Sequence, residues 1–273
     1  MSLLQFLQYD KNFPLNARVV EESDMEICTR EKIVLNGPLE SRVPGYLAIP
    51  KKGSQPHPCV LLLHSQEGSK SSGWHEGGDF HFHFDKLTRE LLSAGFAVCA
   101  LDAPYHGERS GNNDYQSVGS SMVQNQQFIR YRDMVRQSTI EYRILLDYLT
   151  SRSEVDMARI GVLGCSMGGA QTFLLTAAEP RIKTAIAASV PTSGPWISEK
   201  NSAMALQNYI RGIGDRPFLL MMGKEDGRFL PVEAEHVFVL IESPVKKLIF
   251  YDCGHFFTDE YVIDAIKWFK DHL

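Results

Sequence analysis

The stretch Arg159-Ile160-Gly161-Val162-Leu163-Gly164-Cys165-Ser166-Met167-Gly168-Gly169-Ala170 leaves the backbone few choices. It reads as a short apolar strand, a sharp turn of small residues with a serine at its apex, and the start of a helix. Gly164 and Gly168 flank that serine. Such a turn crowds the backbone, and a Cβ at either position would collide with a neighbouring strand or helix. Alone, the Gly-x-Ser-x-Gly spacing says little. With Gly and Ser each at roughly 7% of residues, three fixed positions match by chance in about one chain in ten of this length. Its meaning rests on the surrounding chain.

That chain alternates strands and helices. Cys59–His64 and Phe96–Leu101 are continuous apolar runs, the signature of strands buried on both faces of a parallel sheet. Between them, Phe84, Leu87, Leu91 and Leu92 recur at helical spacing over Phe84–Ala94, and Gly95 ends the helix. A long helix is expected from about Val123 to Ser151, with Phe128, Tyr131, Val135, Tyr142, Leu145 and Leu149 along one face. Helix Gly169–Ala178, strand Thr184–Ser189, strand Pro217–Met222, helix Val232–Glu242, strand Lys247–Tyr251 and helix Asp259–His272 follow, with Thr258 as the expected N-cap of the last. Upstream, residues 1–20 read as a short helix and a loop. Glu26–Leu35 and Val43–Ile49 read as an antiparallel pair. This pattern implies an α/β fold with a mostly parallel sheet and helices on both faces.

Composition narrows the class further. A chain of 273 residues with 44% hydrophobic content can bury one sizeable core, so residues 1–273 are expected to form a single domain. A net charge of -5 without long runs of one sign gives no footprint for nucleic acid or an acidic membrane surface. No apolar run reaches the length of a membrane span, and the first ten residues lack the basic lead of a signal peptide. Cys28, Cys59, Cys99, Cys165 and Cys253 are odd in number and without CxxC spacing, which suits reduced thiols in a cytoplasmic protein.

In such a sheet, active sites assemble beyond the carboxyl ends of the strands. His64-Ser65-Gln66-Glu67-Gly68, Asp102-Ala103-Pro104-Tyr105-His106-Gly107, Ser166, Gly223-Lys224-Glu225-Asp226-Gly227 and Cys253-Gly254-His255 all fall there. A serine, an acid and a histidine thus occur in that chain order, each just past a strand. A serine hydroxyl is a poor nucleophile until a base takes its proton, and a histidine does that near neutral pH. An acid on the other ring nitrogen fixes the tautomer.

These residues resemble the α/β-hydrolase superfamily, and within it the dienelactone-hydrolase-like and prolyl-oligopeptidase-like esterases. The likeness covers roughly residue 43 to the C-terminus. Gly164-x-Ser166-x-Gly168-Gly169 is similar to the family's nucleophile elbow, Gly223-x-x-Asp226 followed by Pro231 to its acid loop, and Gly254-His255 to its histidine loop. Asp102-x-x-x-His106-Gly107-x-Arg109 is similar to a turn found in these esterases. The resemblance implies the α/β-hydrolase fold with an eight-stranded sheet and a small cap insertion at 191–214. It implies a Ser166, His255 and Asp226 triad, and an oxyanion hole from the Met167 N–H and an N–H of the His64–Gly68 loop, that of Gln66. This chain departs from the family at that loop, carrying His64-Ser65 where His-Gly is usual.

Several alternatives stand beside these assignments. Glu225 adjoins Asp226 and is a second candidate acid, while His236 and His272 are rival bases. His75, His81 and His83 with Glu76 and Asp79 invite a metal, yet no zinc motif fits, and alternation with Phe80, Phe82 and Phe84 points to a surface or pocket rim. Cys165 is expected to point into the core. The turn at Asp102–Arg109 reads as support for the elbow, or as a substrate contact through His106 and Arg109. Tyr105 and Trp196, in the stretches flanking the pocket, are the candidate substrate-binding residues. The expected activity is cleavage of a small-molecule carboxylic ester, without metal or organic cofactor. Lactonase, thioesterase or peptidase chemistry on the same triad stays open, as do homo-oligomerisation and a catalytically idle binding protein.

Overall fold

Apolar runs without polar alternation form the middle of one sheet in the computed structural model, which describes residues 3–38, 41–74, 80–110, 128–191 and 203–273. The strands are β1 (Arg18–Asp24), β2 (Cys28–Asn36), β3 (Arg42–Pro50), β4 (His57–Leu63), β5 (Ala97–Leu101), β6 (Val155–Cys165), β7 (Ile182–Ala188), β8 (Phe218–Gly223) and β9 (Lys246–Tyr251). Their order across the sheet is β1-β2-β3-β5-β4-β6-β7-β8-β9. From β5 to β9 neighbours run parallel, and β1, β2 and β3 add an antiparallel edge. All of β5 and β8 is buried, as expected of strands covered on both faces.

The helices are α1 (Phe84–Ser93), α2 (Phe128–Leu149), α3 (Met167–Ala178), α4 (Ile210–Ile213), α5 (Pro231–Leu240) and α6 (Tyr261–His272). Strand side chains alternate between two apolar clusters, because successive residues of a strand face opposite sides. Cys59, Leu61 and Leu63 of β4 join α2 and α3 residues such as Tyr142, Leu145 and Phe173, whereas Val60 and Leu62 join Leu87 and Leu91 of α1 and Phe269 of α6. Tyr142, fully buried on α2, donates its hydroxyl to Leu62 O and accepts the Leu101 N–H, tying α2 to adjacent strands.

This is the α/β-hydrolase fold, with two departures from the sequence reading. Among the described residues the sheet has nine strands rather than eight. The additional one, β1, is an exposed edge whose sequence RVVEESD lacks the alternation of a half-buried strand, and its register shifts between Val19 and Glu21. The last helix starts at Tyr261, not after Thr258. Its leading N–H groups find the Asp259 and Glu260 carbonyls, and no side chain caps it. Of the stretch at 191–214, the described residues 191 and 203–214 include Met204, Leu206, Tyr209, Ile210 and Ile213, which pack into the core on the α2 and α3 side. The rest of that stretch, and the start expected for α2 near Val123, lie outside the described residues. Among the described residues no helix is long and apolar enough to cross a membrane.

Sheet register sets up the site. Leu63 pairs with Gly164, Cys165 with Ala188, Ala188 with Met221, and Gly223 with Tyr251. The carboxyl ends of β4, β6, β7, β8 and β9 therefore finish level, and the loops beyond them share one rim of the sheet.

Candidate active site

Ser166 stands between β6 and α3 with φ 54° and ψ -116°, a conformation costly for any residue with a side chain. The surrounding contacts enforce it. A Cβ on Gly164 would lie 2.1 Å from Gly168 O, and one on Gly168 would lie 2.1 Å from Leu63 O. Only glycines let strand, turn and helix approach so closely. The turn thrusts the serine hydroxyl out of the sheet, where His255 Nε2 lies 3.2 Å from Oγ.

On the far side of that ring, Nδ1 is 2.9 Å from Asp226 Oδ2. Asp226 Oδ1 accepts the N–H groups of Arg228 and Phe229 at 2.8 and 3.0 Å. Burial works to raise the Asp226 carboxyl pKa, but His255 and the two N–H groups outweigh it and hold it below the usual aspartate value. The carboxylate is charged wherever the protein is neutral or mildly acidic. Glu225, the rival acid, is exposed, and its N–H is spent on Cys253 O at 3.0 Å. His236 is exposed on α5, and His272 packs against Trp268 on α6.

The acid and histidine loops brace each other. Gly223 pairs with Tyr251, and a Cβ on Gly223 would meet Gly254 O at 2.0 Å. Phe82, Phe229 and Phe256 surround the His255 ring with centroids at 5.8, 5.1 and 5.2 Å. Ser189, buried at the end of β7, donates its hydroxyl to His255 O at 2.8 Å. Sequence reasoning missed this brace, since nothing local to an Ala-Ala-Ser-Val run connects it to a histidine far along the chain.

Met167 opens α3, and Gln66 sits in the loop after β4. Among the described residues neither backbone N–H has a hydrogen-bond partner. The His64-Ser65 departure has a structural account. His64 donates Nδ1–H to Ser65 O at 2.7 Å and accepts the Ala103 N–H at Nε2, 3.1 Å away. Burial, helped by His106 and opposed by the Ser65 bond, pushes the His64 pKa down to about 3, so the ring is a neutral brace. Ser65 Oγ in turn accepts the Glu67 N–H at 3.3 Å.

The turn over residues 102–109 was expected to support the elbow; its hydrogen bonds go elsewhere. Asp102 accepts the Lys70 N–H, the Lys70 ammonium and the Glu108 N–H at 2.8, 3.1 and 3.0 Å. His106 faces Gln66 O, and Arg109 forms a forked pair with Glu141 of α2 at 2.6 and 2.9 Å. The turn therefore fastens the loop over residues 64–70. Tyr105, partly exposed in the same turn, lies under Arg130. Trp196 lies outside the described residues, as do His75, Glu76 and Asp79. His81 stacks on Phe256, and no group of three or more metal-ligating side chains gathers among the described residues. None of the five cysteines forms a disulfide, and Cys165 is buried on the α1 and α6 side of the sheet.

Residues 5–209 match the acetyl xylan esterase (AXE1) family. Among curated proteins, the chain is 31% identical over 170 residues to "Putative hydrolase YtaP" of Bacillus subtilis, an alignment covering 61% of this chain and 54% of that protein. It is 27% identical over 161 residues to 2,6-dihydropseudooxynicotine hydrolase of Paenarthrobacter nicotinovorans, covering 58% of this chain and 34% of the relative. The alignments thus span about half or less of these two relatives. In three dimensions the chain superimposes on acetyl xylan esterase 1 from a Thermoanaerobacterium species with a TM-score of 0.76 at 18% identity, over 99% of this chain and 92% of the other. An acetyl xylan esterase from a Paenibacillus species gives 0.76 at 19% identity with the same coverage.

Proposed function

Because the chain belongs to the acetyl xylan esterase (AXE1) family, we propose that it is a serine hydrolase cleaving carboxylic esters of small acyl groups. The observation that carries this reading is the unbroken run from Ser166 Oγ through the His255 ring to the buried Asp226 carboxylate. His255 Nε2 takes the hydroxyl proton as Oγ attacks the ester carbonyl, then delivers it to the departing alkoxide. An acyl-Ser166 ester remains. Water attacks it with His255 again as base, releasing the carboxylic acid and restoring the serine. Asp226 accepts Nδ1–H throughout, fixing the tautomer and stabilising the imidazolium. The unpartnered N–H groups of Met167 and Gln66 are the proposed oxyanion donors, each worth about 3–4 kcal/mol of barrier.

The scheme calls for neither metal nor organic cofactor. The family and the two esterase neighbours favour acetyl esters, acetylated sugars among them, as the substrate class. Five cysteines outside any disulfide favour a reducing compartment, hence the cytoplasm. The shared rim of one continuous sheet favours a single catalytic domain over residues 1–273.

A fluorophosphonate probe tests the reading directly. One adduct per chain, on Ser166, is expected, and folded protein that takes none there overturns it. Ser166→Ala is expected to abolish p-nitrophenyl acetate turnover, and acetyl esters should be turned over faster than butyryl or octanoyl esters.

A further inference from the structure

The loop after β4 holds its backbone with unusual completeness around Gln66. In the peptide joining Ser65 to Gln66, the carbonyl accepts His64 Nδ1–H and the Gly68 N–H at 2.7 and 3.1 Å. In the peptide joining Gln66 to Glu67, the N–H is held by Ser65 Oγ, and the carbonyl lies 2.9 Å from His106 Nε2. Of these four polar groups, only the Gln66 N–H lacks a partner among the described residues. A donor kept free for a substrate cannot be aligned by its own hydrogen bond. Its direction has to be set by the groups on either side of it.

We infer that His106 is a positioning residue for the oxyanion loop, its Nε2–H holding the Gln66 carbonyl so that the Gln66 N–H stays aimed at the Ser166 side. The inference rests on the serine-hydrolase reading given above. Three features make His106 suited to the task. It is buried, so the bond is shielded from competing water. Its ring packs 5.0 Å from that of His64, a second histidine that bridges the loop and the turn. And its backbone belongs to the turn that Asp102 ties to Lys70, which gives the ring a rigid base.

Both ring nitrogens face a carbonyl, so a neutral ring serves only one of them, and we assign the proton to Nε2. His106 Nδ1 is 2.9 Å from Pro104 O and Nε2 is 2.9 Å from Gln66 O, and carbonyl oxygens only accept. A ring protonated at Nδ1 alone would set a lone pair against Gln66 O and release the loop. Protonation at Nε2 keeps the bond, whether the ring is neutral or cationic. The Gln66 side-chain NH2 lies 3.2 Å from the same nitrogen and would donate only to a bare Nε2, so a protonated Nε2 requires that amide turned to present Oε1, an atom buried without a partner as it stands.

His106→Leu and His106→Gln separate positioning from mere packing. Gln can place an amide N–H near the position of Nε2, while Leu cannot donate. His106→Leu is expected to lower kcat on the order of 10- to 100-fold with KM within about twofold, the range for loss of a group that orients a catalytic one. His106→Gln should recover most of that loss, and both variants should still take a full equivalent of fluorophosphonate on Ser166. In wild-type protein, nitrogen-15 NMR of labelled histidine should find His106 Nε2 protonated. Wild-type turnover in His106→Leu, equal losses in both variants tracking their loss of folded protein, or a ring protonated only at Nδ1 would each overturn the inference. The NMR measurement decides even if His106→Leu does not fold. Failure of wild-type protein to label at Ser166 would remove the hydrolase reading itself; labelling with unchanged turnover in His106→Leu removes only this one.

Discussion

Asp102 and Lys70 form a buried pair in which one carboxylate holds both ends of one residue: Oδ1 accepts the Lys70 backbone N–H and Oδ2 its ammonium. Their side chains are 0% and 2% exposed, and Glu108 approaches the same ammonium from the solvent side. Removing one partner of a buried pair strands the other without compensation, at a cost of about 3–5 kcal/mol. Lys70→Met keeps the stem and deletes the charge, so it should lower the melting temperature by about 6–20 °C, at roughly 2–4 °C per kcal/mol. Lys70→Met with Asp102→Asn should recover part of that loss, because no stranded carboxylate remains. A calorimetric melt of Lys70→Met within 2 °C of wild type, taking about 2 °C as the least shift per kcal/mol, would contradict the pairing.

Asp226 has a pKa in the folded protein below its ordinary value, which fixes the sign of its pH dependence. The folded carboxyl gives up its proton more readily than the unfolded one, whose pKa is near 3.9 (about the model-peptide value). Between the two values the unfolded chain binds more protons, so stability rises with pH. The contribution is complete above the unfolded value and is lost as pH falls through the folded one. Urea midpoints of wild type and Asp226→Asn should therefore differ by a constant amount from pH 7 down to about pH 5 and converge below about pH 4. Activity should respond more sharply, with kcat down by about 10⁴-fold, because an amide at that position favours the wrong histidine tautomer. A gap that widened toward low pH would mean that the carboxylate is not stabilised by its partners.

The residues of the candidate triad were legible because each lies at a local signal, a glycine-flanked turn just past an apolar run. Ser166, Asp226 and His255 needed no knowledge of long-range contacts to be found. What the sequence concealed is held by partners distant in the chain. Lys70 meets Asp102 across 32 positions and Ser189 meets His255 across 66, and neither lysine nor serine carries a local mark of burial. Strand β1 was hidden for the opposite reason: nearly all of it faces solvent, so no apolar period betrays it. The turn over residues 102–109 was recognised as a unit, but its target, the loop over residues 64–70, depends on β4 and β5 being neighbours.

Two glycines of β6 should respond differently to the same added methyl group. At Gly164 the new Cβ would meet the Gly168 carbonyl group at 2.1–2.4 Å, and backbone at the elbow cannot move without dismantling it. At Gly161 it would meet Phe269 Cε1 at 2.7 Å and Leu273 Cδ1 at 2.9 Å, side-chain atoms that can shift. Gly161→Ala should cost about 1–3 kcal/mol, the usual range for overpacking a core. Gly164→Ala should yield little soluble protein, or protein that melts far below Gly161→Ala and neither turns over ester nor labels at Ser166. Equal melting temperatures for the two variants would show that the elbow tolerates backbone displacement.

Strain at Ser166 predicts an order of stabilities among inactive variants. Its φ of 54° and ψ of -116° lie outside the regions open to residues with a Cβ, and such a conformation costs about 1–3 kcal/mol. Ser166→Ala and Ser166→Gly both delete the hydroxyl, and with it the contact to His255, so neither should turn over ester. They differ in the Cβ alone. Alanine keeps the strain, whereas glycine enters this conformation freely and gives back roughly 0.5–1 kcal/mol through the greater freedom of its unfolded chain. The balance favours glycine by about 0.5–2 kcal/mol, so Ser166→Gly should have the higher urea midpoint with the same slope. Were alanine the more stable of the two, the elbow would be storing no strain, and the serine would be held out by its neighbours without cost.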